Sequence, residues 1–171
     1  LTMNRPNVLN SLNRPLVDAL IDHFEQADKN DEVRIIILTG SGRGFCAGAD
    51  LVDGQWPTDP AWSAGEATGH AMDIGFNPLV RALHDCSKPV ITAVNGMAAG
   101  GGVGLALSGD LVIAAQSAKF RLVFGPQLGI IPDVGASWLV PNLVGRSRAN
   151  GLGLLGDNLD AATAVQWGMI W

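Results

Sequence analysis

Hydrophobic side chains recur along this chain with two different periods, and these periods predict its helices and strands. Leu16, Leu20 and Phe24 follow one another at the spacing of a helix face, with acidic residues on the opposite side. Asn13 can cap that helix, and Pro15 fits its first turn because the missing N–H is not needed there. The pattern therefore predicts a helix that begins just after Asn13.

Shorter apolar runs, bounded by turn residues, are typical of buried strands. They occur at residues 34–38, 89–94, 111–114 and 120–123. Helical patterns occur at residues 71–85, 103–108, 149–155 and 161–167, and a further one follows Pro132. Because strands alternate with helices along the chain, the expected fold class is α/β.

Two segments are expected to be less regular. Residues 53–69 are rich in proline, glycine and serine, and they are predicted to form a flexible loop that covers a site. Residues 169–171 begin an apolar run that we expect to continue as a strand beyond the sequence. The first residues lack the charged start and apolar block of a signal peptide, so we also expect a segment before them.

Composition narrows the classes of function. A length of 171 residues suits one domain, and a net charge of −5 disfavours nucleic acid and anionic membranes as partners. No apolar run is long enough to span a bilayer. Cys46 and Cys86 form neither a metal-type nor a disulfide-type cluster, which indicates no metal site and a reducing, cytoplasmic setting.

Two glycine-rich segments, residues 42–51 and 95–102, each follow a predicted strand and carry the candidate chemistry. Backbone N–H groups exposed by such segments can converge on one oxygen atom and stabilise its negative charge, as in an oxyanion hole. The alternative interpretation is that both segments are glycine turns that pack helices against strands. Neither segment contains a phosphate-binding or dinucleotide-binding motif.

Read in order, several strings resemble the signature of the crotonase, or enoyl-CoA hydratase/isomerase, superfamily. The strings are Asn4-Arg5-Pro6, Asn10-Ser11-Leu12-Asn13, Phe45-Cys46-Ala47-Gly48-Ala49-Asp50-Leu51, Lys88-Pro89-Val90, Asn95-Gly96-Met97-Ala98-Ala99-Gly100-Gly101-Gly102 and Gly109-Asp110-Leu111-Val112-Ile113-Ala114. The resemblance implies a spiral of ββα units over residues 1–171, whose N-terminal strand and C-terminal trimerisation helices lie outside this sequence. It also implies a homotrimer or a hexamer.

The same resemblance implies the site. The backbone N–H groups of Ala49 and Gly101 would bind the carbonyl oxygen of an acyl-CoA thioester. Coenzyme A would be part of the substrate, and no separate cofactor is expected. The remaining substrate-binding and CoA-binding positions would be Ala47, Asp50, Leu51, Gly100, Gly125 and Leu128.

Hydratases of this family hold a water molecule between two glutamates, and this chain has glycine at both positions. Gly104 stands at the first position and Gly125 at the second, and no glutamate occurs after Glu66. The resemblance therefore argues against hydration, because glycine cannot transfer a proton.

One carboxyl group, that of Asp133, remains in the right neighbourhood. Its local sequence favours an N-cap role at the start of the next helix. The chain also resembles the ring-epoxide isomerases of phenylacetate breakdown, which have an aspartate at this position. By that resemblance, Asp133 would move a proton between two substrate carbons and so shift a double bond or rearrange a ring-epoxide acyl group.

Three other functions stay open at this point. Dehalogenases of the family share the aspartate but add a histidine where this chain has Asn77, which disfavours that reaction. Enoyl-CoA hydration remains an alternative by family membership. A degenerate crotonase that binds acyl-CoA, another protein or RNA without catalysis is the third, although the acidic charge disfavours RNA.

Overall fold

Eight short strands form two four-stranded sheets in the computed structural model, which describes residues 1–171. The strands are β1 (Thr2–Met3), β2 (Ile36–Gly40), β3 (Gly44–Cys46), β4 (Val90–Val94), β5 (Met97–Ala99), β6 (Leu111–Ala114), β7 (Lys119–Arg121) and β8 (Leu159–Asp160). The first sheet has the order β1-β2-β4-β6, and the second has the order β3-β5-β7-β8. All pairs are parallel except β7 with β8.

Seven α-helices connect and cover these sheets. They are α1 (Arg14–Lys29), α2 (Ala64–Ala71), α3 (Asn77–His84), α4 (Gly101–Leu107), α5 (Ala136–Val144), α6 (Arg146–Leu155) and α7 (Ala161–Gln166). Two π-helical segments, Met72–Phe76 and Phe124–Leu128, and a 3-10 turn at Pro6–Val8 complete the regular structure.

The chain repeats one pattern: a strand in the first sheet, a strand in the second sheet, then helical structure. β2 leads into β3, β4 into β5 and β6 into β7, each across a corner of only a few residues. The repeat makes the fold a spiral of ββα units, as the family resemblance implied. No helix of the structure has the length and apolar character needed to cross a membrane.

Asn95 joins two successive corners of the spiral. Its side-chain Oδ1 accepts the N–H of Gly40 at 3.2 Å, and its Nδ2 donates to the carbonyl oxygens of Gly42 and Gly44 at 3.0 and 3.2 Å. The next residue, Gly96, leaves no room for a side chain, because a Cβ there would overlap the carbonyl oxygen of Arg43. The corners therefore stack by direct backbone contact.

Helix α4 lies at the centre of the molecule, and all seven of its residues are buried. Gly102 faces β3 so closely that a Cβ would overlap the carbonyl oxygen of Cys46. Around this contact Phe45, Leu105 and Ala98 are fully buried in the core. Burial of a large apolar side chain of this kind contributes about 1.5–3 kcal/mol.

The predicted helices exist, with shifted ends. Ser63 and Glu66 form a capping box that starts α2, so the predicted loop at residues 53–69 ends at residue 63. The helix predicted at 71–85 is the middle and end of a longer helical stretch, in which Pro78 lies in the first turn of α3. The glycine-rich segments contain β3 and β5, two strands that the sequence did not predict.

Residues 169–171, where the sequence predicted the start of a strand, are not part of a strand in the structure. Met169 and Ile170 are buried after α7, and the N–H of Trp171 makes one backbone hydrogen bond, to Val112 at 2.9 Å. The left-handed backbone of Gly168, with φ of 75°, turns the chain away from α7 toward β6. The apolar run is thus buried at Met169 and Ile170, and its last residue bonds to the backbone of β6.

Replacement of Asn13 by alanine should lower the free energy of unfolding by about 1 kcal/mol, because the Asn13 side chain caps α1 by accepting the N–H of Leu16 at 3.1 Å. Asn158→Ala is the matched control, since Asn158 is exposed and makes no side-chain hydrogen bond. Urea unfolding followed by circular dichroism measures both. Equal midpoints for the two variants would contradict the capping role.

Candidate active site

A cavity of about 440 Å³ opens where the two glycine-rich segments meet. One wall comes from these segments, a second from α2 and the π-helical segment after it, and a third from the chain before α5. The lining residues are Ala47, Gly48, Ala49, Asp50, Leu51, Trp56, Ala67, Thr68, Ala71, Met72, Phe76, Gly100, Gly101, Val123, Phe124, Leu128, Ile130, Asp133 and Val134. Asp50 and Asp133 are their only titratable side chains.

The two glycine-rich segments touch at Gly48, which has a φ of 90°. A Cβ on Gly48 would lie 2.9 Å from the carbonyl oxygen of Ala99 and 3.1 Å from the nitrogen of Gly101. Both distances are shorter than ordinary van der Waals contact. A glycine is therefore needed at this position for Ala49 and Gly101 to line the same cavity.

The backbone N–H groups of Ala49 and Gly101 have no acceptor within the secondary structure. Ala49 lies outside the named strands, and its N–H makes no hydrogen bond, although the neighbouring residue Asp50 donates to Leu12 at 3.0 Å. Gly101 is the first residue of α4, so its N–H has no carbonyl one turn earlier to bind. The cavity wall thus carries two backbone donors that can bind a ligand oxygen.

The first glycine-rich segment is held in place by the N-terminal part of the chain. The N–H of Leu12 donates to the carbonyl oxygen of Gly48 at 2.7 Å. The buried carboxylate of Asp50 contacts the Arg5 guanidinium at 2.9 Å and accepts the N–H of Asp53 at 2.9 Å. The pKa of Asp50 lies below its ordinary value in spite of burial. The hydrogen bond from the Asp53 N–H has the largest effect, followed by those from Arg5, Val52 and Ser11.

Asp133 places an unpaired carboxyl oxygen beside the second donor. Its Oδ1 is fully buried and has no hydrogen-bond partner, and it lies 3.4 Å from the position of a Cβ on Gly101. Burial raises the pKa of Asp133 from 3.8 to about 6. A buried carboxyl oxygen with no partner is costly, so its presence beside a ligand-sized cavity makes Asp133 a candidate functional residue.

The N-cap role suggested by the local sequence of Asp133 is wrong. Helix α5 begins at Ala136, its N-cap is Gly135, and no side chain caps it. Gly135 has a φ of 75°, and Asp133 accepts the N–H of Ala136 through its backbone carbonyl at 2.9 Å. The Asp133 side chain is therefore free to face the cavity.

Gly104 and Gly125, the two positions where hydratases have glutamates, differ in their surroundings. A Cβ on Gly104 would overlap the carbonyl oxygen of Val134, so no side chain fits there. Gly125 is exposed, and a Cβ there would lie 2.8 Å from the carbonyl oxygen of Gly153 in α6. Gly125 lies outside the cavity, contrary to its predicted binding role, because its π-helical segment turns that position toward α6.

The other predicted binding residues, Ala47, Asp50, Leu51, Gly100 and Leu128, all line the cavity. Sequence reasoning did not identify the aromatic wall. The Trp56 ring packs on Phe76 with centroids 4.7 Å apart, and the Arg14 guanidinium lies 5.8 Å from the Trp56 centroid. These residues carry no motif, and the one available signal was a tryptophan in a segment otherwise rich in proline and glycine.

Neither the three histidines nor the thiol of Cys46 supplies a reactive group to the cavity wall. His23, His70 and His84 do not line it. The thiol of Cys46 is fully buried, and burial raises its pKa to about 12, which keeps it protonated and unreactive. No group of three His, Cys, Asp or Glu side chains is placed to hold a metal ion.

Comparison with known proteins gives matches along the whole chain. The profile of the enoyl-CoA hydratase/isomerase family matches residues 1–171. The chain is 51% identical to 1,2-epoxyphenylacetyl-CoA isomerase of Escherichia coli, over 100% of this chain and 64% of that protein. It is 41% identical to a probable enoyl-CoA hydratase of Rhodobacter capsulatus, over 100% of this chain and 63% of that protein.

Solved structures agree with the sequence matches. A putative enoyl-CoA hydratase/isomerase of Mycobacterium abscessus superposes with a TM-score of 0.88 at 34% identity, over 99% of this chain and 64% of the other. An enoyl-CoA hydratase of Bacillus anthracis superposes with a TM-score of 0.86 at 32% identity, over 99% and 63%. The chain therefore spans slightly less than two thirds of the length of these relatives.

Replacement of Asp133 by asparagine should stabilise the protein at neutral pH. The folded protein binds the Asp133 proton more tightly than the unfolded chain does. The free energy of unfolding therefore falls as the pH rises from about 4 through about 6, where Asp133 ionises. Asparagine does not ionise, so the variant should gain up to about 3 kcal/mol above pH 6 and nothing below pH 4. Urea unfolding across this pH range measures the difference.

Asp50→Asn is the control of opposite sign, because the pKa of Asp50 is lowered. It should destabilise the protein at neutral pH, with an effect that disappears as the pH falls through the lowered pKa of the folded protein. If the difference in free energy of unfolding between Asp133→Asn and the parent is the same at pH 4 and pH 8, the Asp133 carboxyl group is solvated in the folded protein.

Proposed function

Because this chain belongs to the enoyl-CoA hydratase/isomerase family, we propose that it isomerises an acyl-CoA thioester, either by shifting a double bond or by rearranging a ring-epoxide acyl group. One observation carries the proposal: the carboxyl group of Asp133, with its unpaired Oδ1 beside Gly101, lines the same cavity as Ala49, whose N–H has no partner. Two N–H donors and one titratable carboxyl group are the minimum set for this reaction.

The donors act on the thioester. Its carbonyl oxygen accepts the N–H groups of Ala49 and Gly101, which stabilise the negative charge that develops when a neighbouring carbon loses a proton. A donor of this kind typically lowers the barrier by about 3 kcal/mol. The apolar cavity wall strengthens both interactions, because few polar groups compete for the donors.

Asp133 moves the proton. As a carboxylate it removes a proton from one substrate carbon, and as the acid it returns the proton to another carbon. A pKa raised to about 6 suits this exchange, since the group can hold and release a proton near neutral pH. No water molecule is added, so a single carboxyl group is sufficient.

The surroundings of Gly104 and Gly125 favour isomerisation over hydration. Hydration requires two groups that hold and activate one water molecule, and neither glycine can transfer a proton. Gly104 is packed against the carbonyl oxygen of Val134, and Gly125 lies outside the cavity. Asp50 cannot serve as the second group, because its carboxylate is bound by Arg5, Ser11 and two backbone N–H groups.

We assign the CoA part of the substrate to the side of the cavity formed by Ala47, Asp50 and Leu51, and the acyl group to the side formed by Trp56 and Phe76. Gly100 and Leu128 line the passage between them in this proposal. Aromatic walls suit a flat, unsaturated acyl group. The Escherichia coli relative is named for a ring-epoxide acyl-CoA, which supports such a substrate. No cofactor beyond the CoA of the substrate is needed.

We also propose a homotrimer or hexamer in the cytoplasm. Ile37 and Leu111, which flank Ile91 in the register of the first sheet, are exposed to solvent in the single chain. Such an apolar sheet face favours burial against another surface. Both cysteines are free thiols, which fits a reducing compartment.

The test of the reaction is an ultraviolet assay with a 3-enoyl-CoA. The protein should produce the absorbance of the conjugated 2-enoyl thioester, and Asp133→Asn should reduce kcat by about 10²–10⁴-fold, the usual contribution of a general acid–base group. Asp73→Asn, which changes an exposed carboxyl group outside the cavity wall in the same way, should keep the parent rate.

Three results would contradict the proposal. Activity that survives in Asp133→Asn would show that another group moves the proton. Hydration of crotonyl-CoA by the parent protein would favour the hydratase alternative. Tight binding of acyl-CoA without turnover of aliphatic or ring-epoxide substrates would identify a binding protein.

A further inference from the structure

We propose that Val134 is the positioning residue for Asp133, and that Gly101 and Gly104 of α4 hold it in place. The inference rests on the proposed proton transfer by Asp133. It concerns how the carboxyl group is kept in the cavity although its buried Oδ1 has no hydrogen bond to fix it. In this proposal, steric contact with the backbone of α4 replaces the missing hydrogen bond.

Val134 has a backbone conformation that its side chain disfavours. Its φ is 47°, in the left-handed region, where β-branched residues are rare because the Cβ substituents crowd the backbone. Val134 is nonetheless buried, with 3% of its surface exposed. A strained residue persists only where its surroundings fix it, and such residues cluster at functional sites.

Two glycines of α4 provide those surroundings. The carbonyl group of Val134 lies directly over Gly104, where a Cβ would overlap its oxygen and come within 2.8 Å of its carbon. The side chain lies over Gly101, where a Cβ would approach Val134 Cγ2 to 2.8 Å. Val134 is therefore packed onto the bare backbone of α4 at both its carbonyl group and its side chain.

The position of Asp133 follows from this packing. Asp133 directly precedes Val134, and the turn is closed by Gly135 with φ of 75° and by the hydrogen bond from Ala136 N–H to the Asp133 carbonyl oxygen. The turn is thus fixed on both sides of Val134. The Asp133 carboxyl group is left 3.4 Å from the Cβ position of Gly101, facing the substrate cavity.

The same packing excludes an alternative arrangement of the site. Any side chain on residue 104 would occupy the volume of the Val134 carbonyl group and push the turn off α4. A carboxyl group contributed by position 104 and the present position of Asp133 are therefore mutually exclusive. The backbone contact at Gly104 therefore determines which reaction the site can carry out, as well as where the Asp133 carboxyl group lies.

Gly104→Ala in the whole protein tests the role of this contact. The turn must move away from α4, so kcat should fall by about 10- to 100-fold, the usual cost of misplacing a reacting group by about 1 Å, while KM stays within about twofold. The ¹³C signal of the Asp133 carboxyl group, identified by its loss in Asp133→Asn, should titrate at a lower pH than in the parent. The shift is expected because Oδ1 gains solvent.

Gly151→Ala is the matched control, since Gly151 lies inside α6 and a Cβ there meets nothing within 4 Å. It should keep the parent kcat and titration midpoint. If Gly104→Ala does not fold, Val134→Ala replaces it. That change removes the contact between the Val134 side chain and Gly101, and alanine can still adopt the backbone conformation of residue 134. It should lower kcat and the Asp133 midpoint in the same directions.

The proposal is overturned if the folded variant keeps the parent kcat and the parent titration midpoint. The carboxyl titration needs no substrate, so it separates this inference from the proposed reaction. A midpoint that falls in Gly104→Ala while the parent shows no isomerase activity would support Val134 as the residue that positions Asp133 and refute the reaction alone.

Discussion

Helix α4 has no side chains at three of its first four positions, and its neighbours approach its backbone directly at each of them. Cys46 of β3 contacts Gly102, and Val134 contacts Gly101 and Gly104. Gly48 approaches the same helix at its first N–H, close to Gly101. These contacts bring two segments that are distant in sequence, residues 46–48 and 133–134, to one end of one short helix, and the cavity lies where they meet.

The chemistry of the cavity follows from what this packing leaves unpaired. Most backbone groups in the two sheets are hydrogen-bonded to neighbouring strands. The N–H groups of Ala49 and Gly101 lie outside these strands and have no partner. Oδ1 of Asp133 is buried beside them without a donor. In an apolar cavity these groups interact strongly with a ligand that supplies a carbonyl oxygen and an acidic carbon. Burial raises the pKa of Asp133, because the charged form of its carboxyl group is costly at this position.

Much of the fold was predictable from periodicity and turn residues. The helix after Asn13 and the apolar strands of the first sheet have the spacing and length that sequence patterns detect. Strands β3 and β5 were not predictable in this way, because each has only three residues and is stabilised by contacts between corners of the spiral. The start of α2 was missed because its capping box lies within a segment rich in proline and glycine.

The candidate site was likewise predictable only in part. The glycine-rich segments alone left a structural turn open, and only the family resemblance implied Ala49 and Gly101 within them. The orientation of Asp133 could not be predicted, since the local sequence favours an N-cap and only the packing of Val134 on α4 turns the side chain into the cavity. The positions of Gly125, outside the cavity, and of Trp56, inside it, likewise depend on tertiary contacts.

A crystal structure of the protein with a bound, unreactive acyl-CoA measures the central claim most directly. The claim predicts that the thioester oxygen lies about 3 Å from both the Ala49 and Gly101 nitrogens, with the Asp133 carboxyl group next to the substrate carbon that loses its proton. A thioester oxygen bound elsewhere, or an Asp133 side chain turned away from the acyl group, would contradict it.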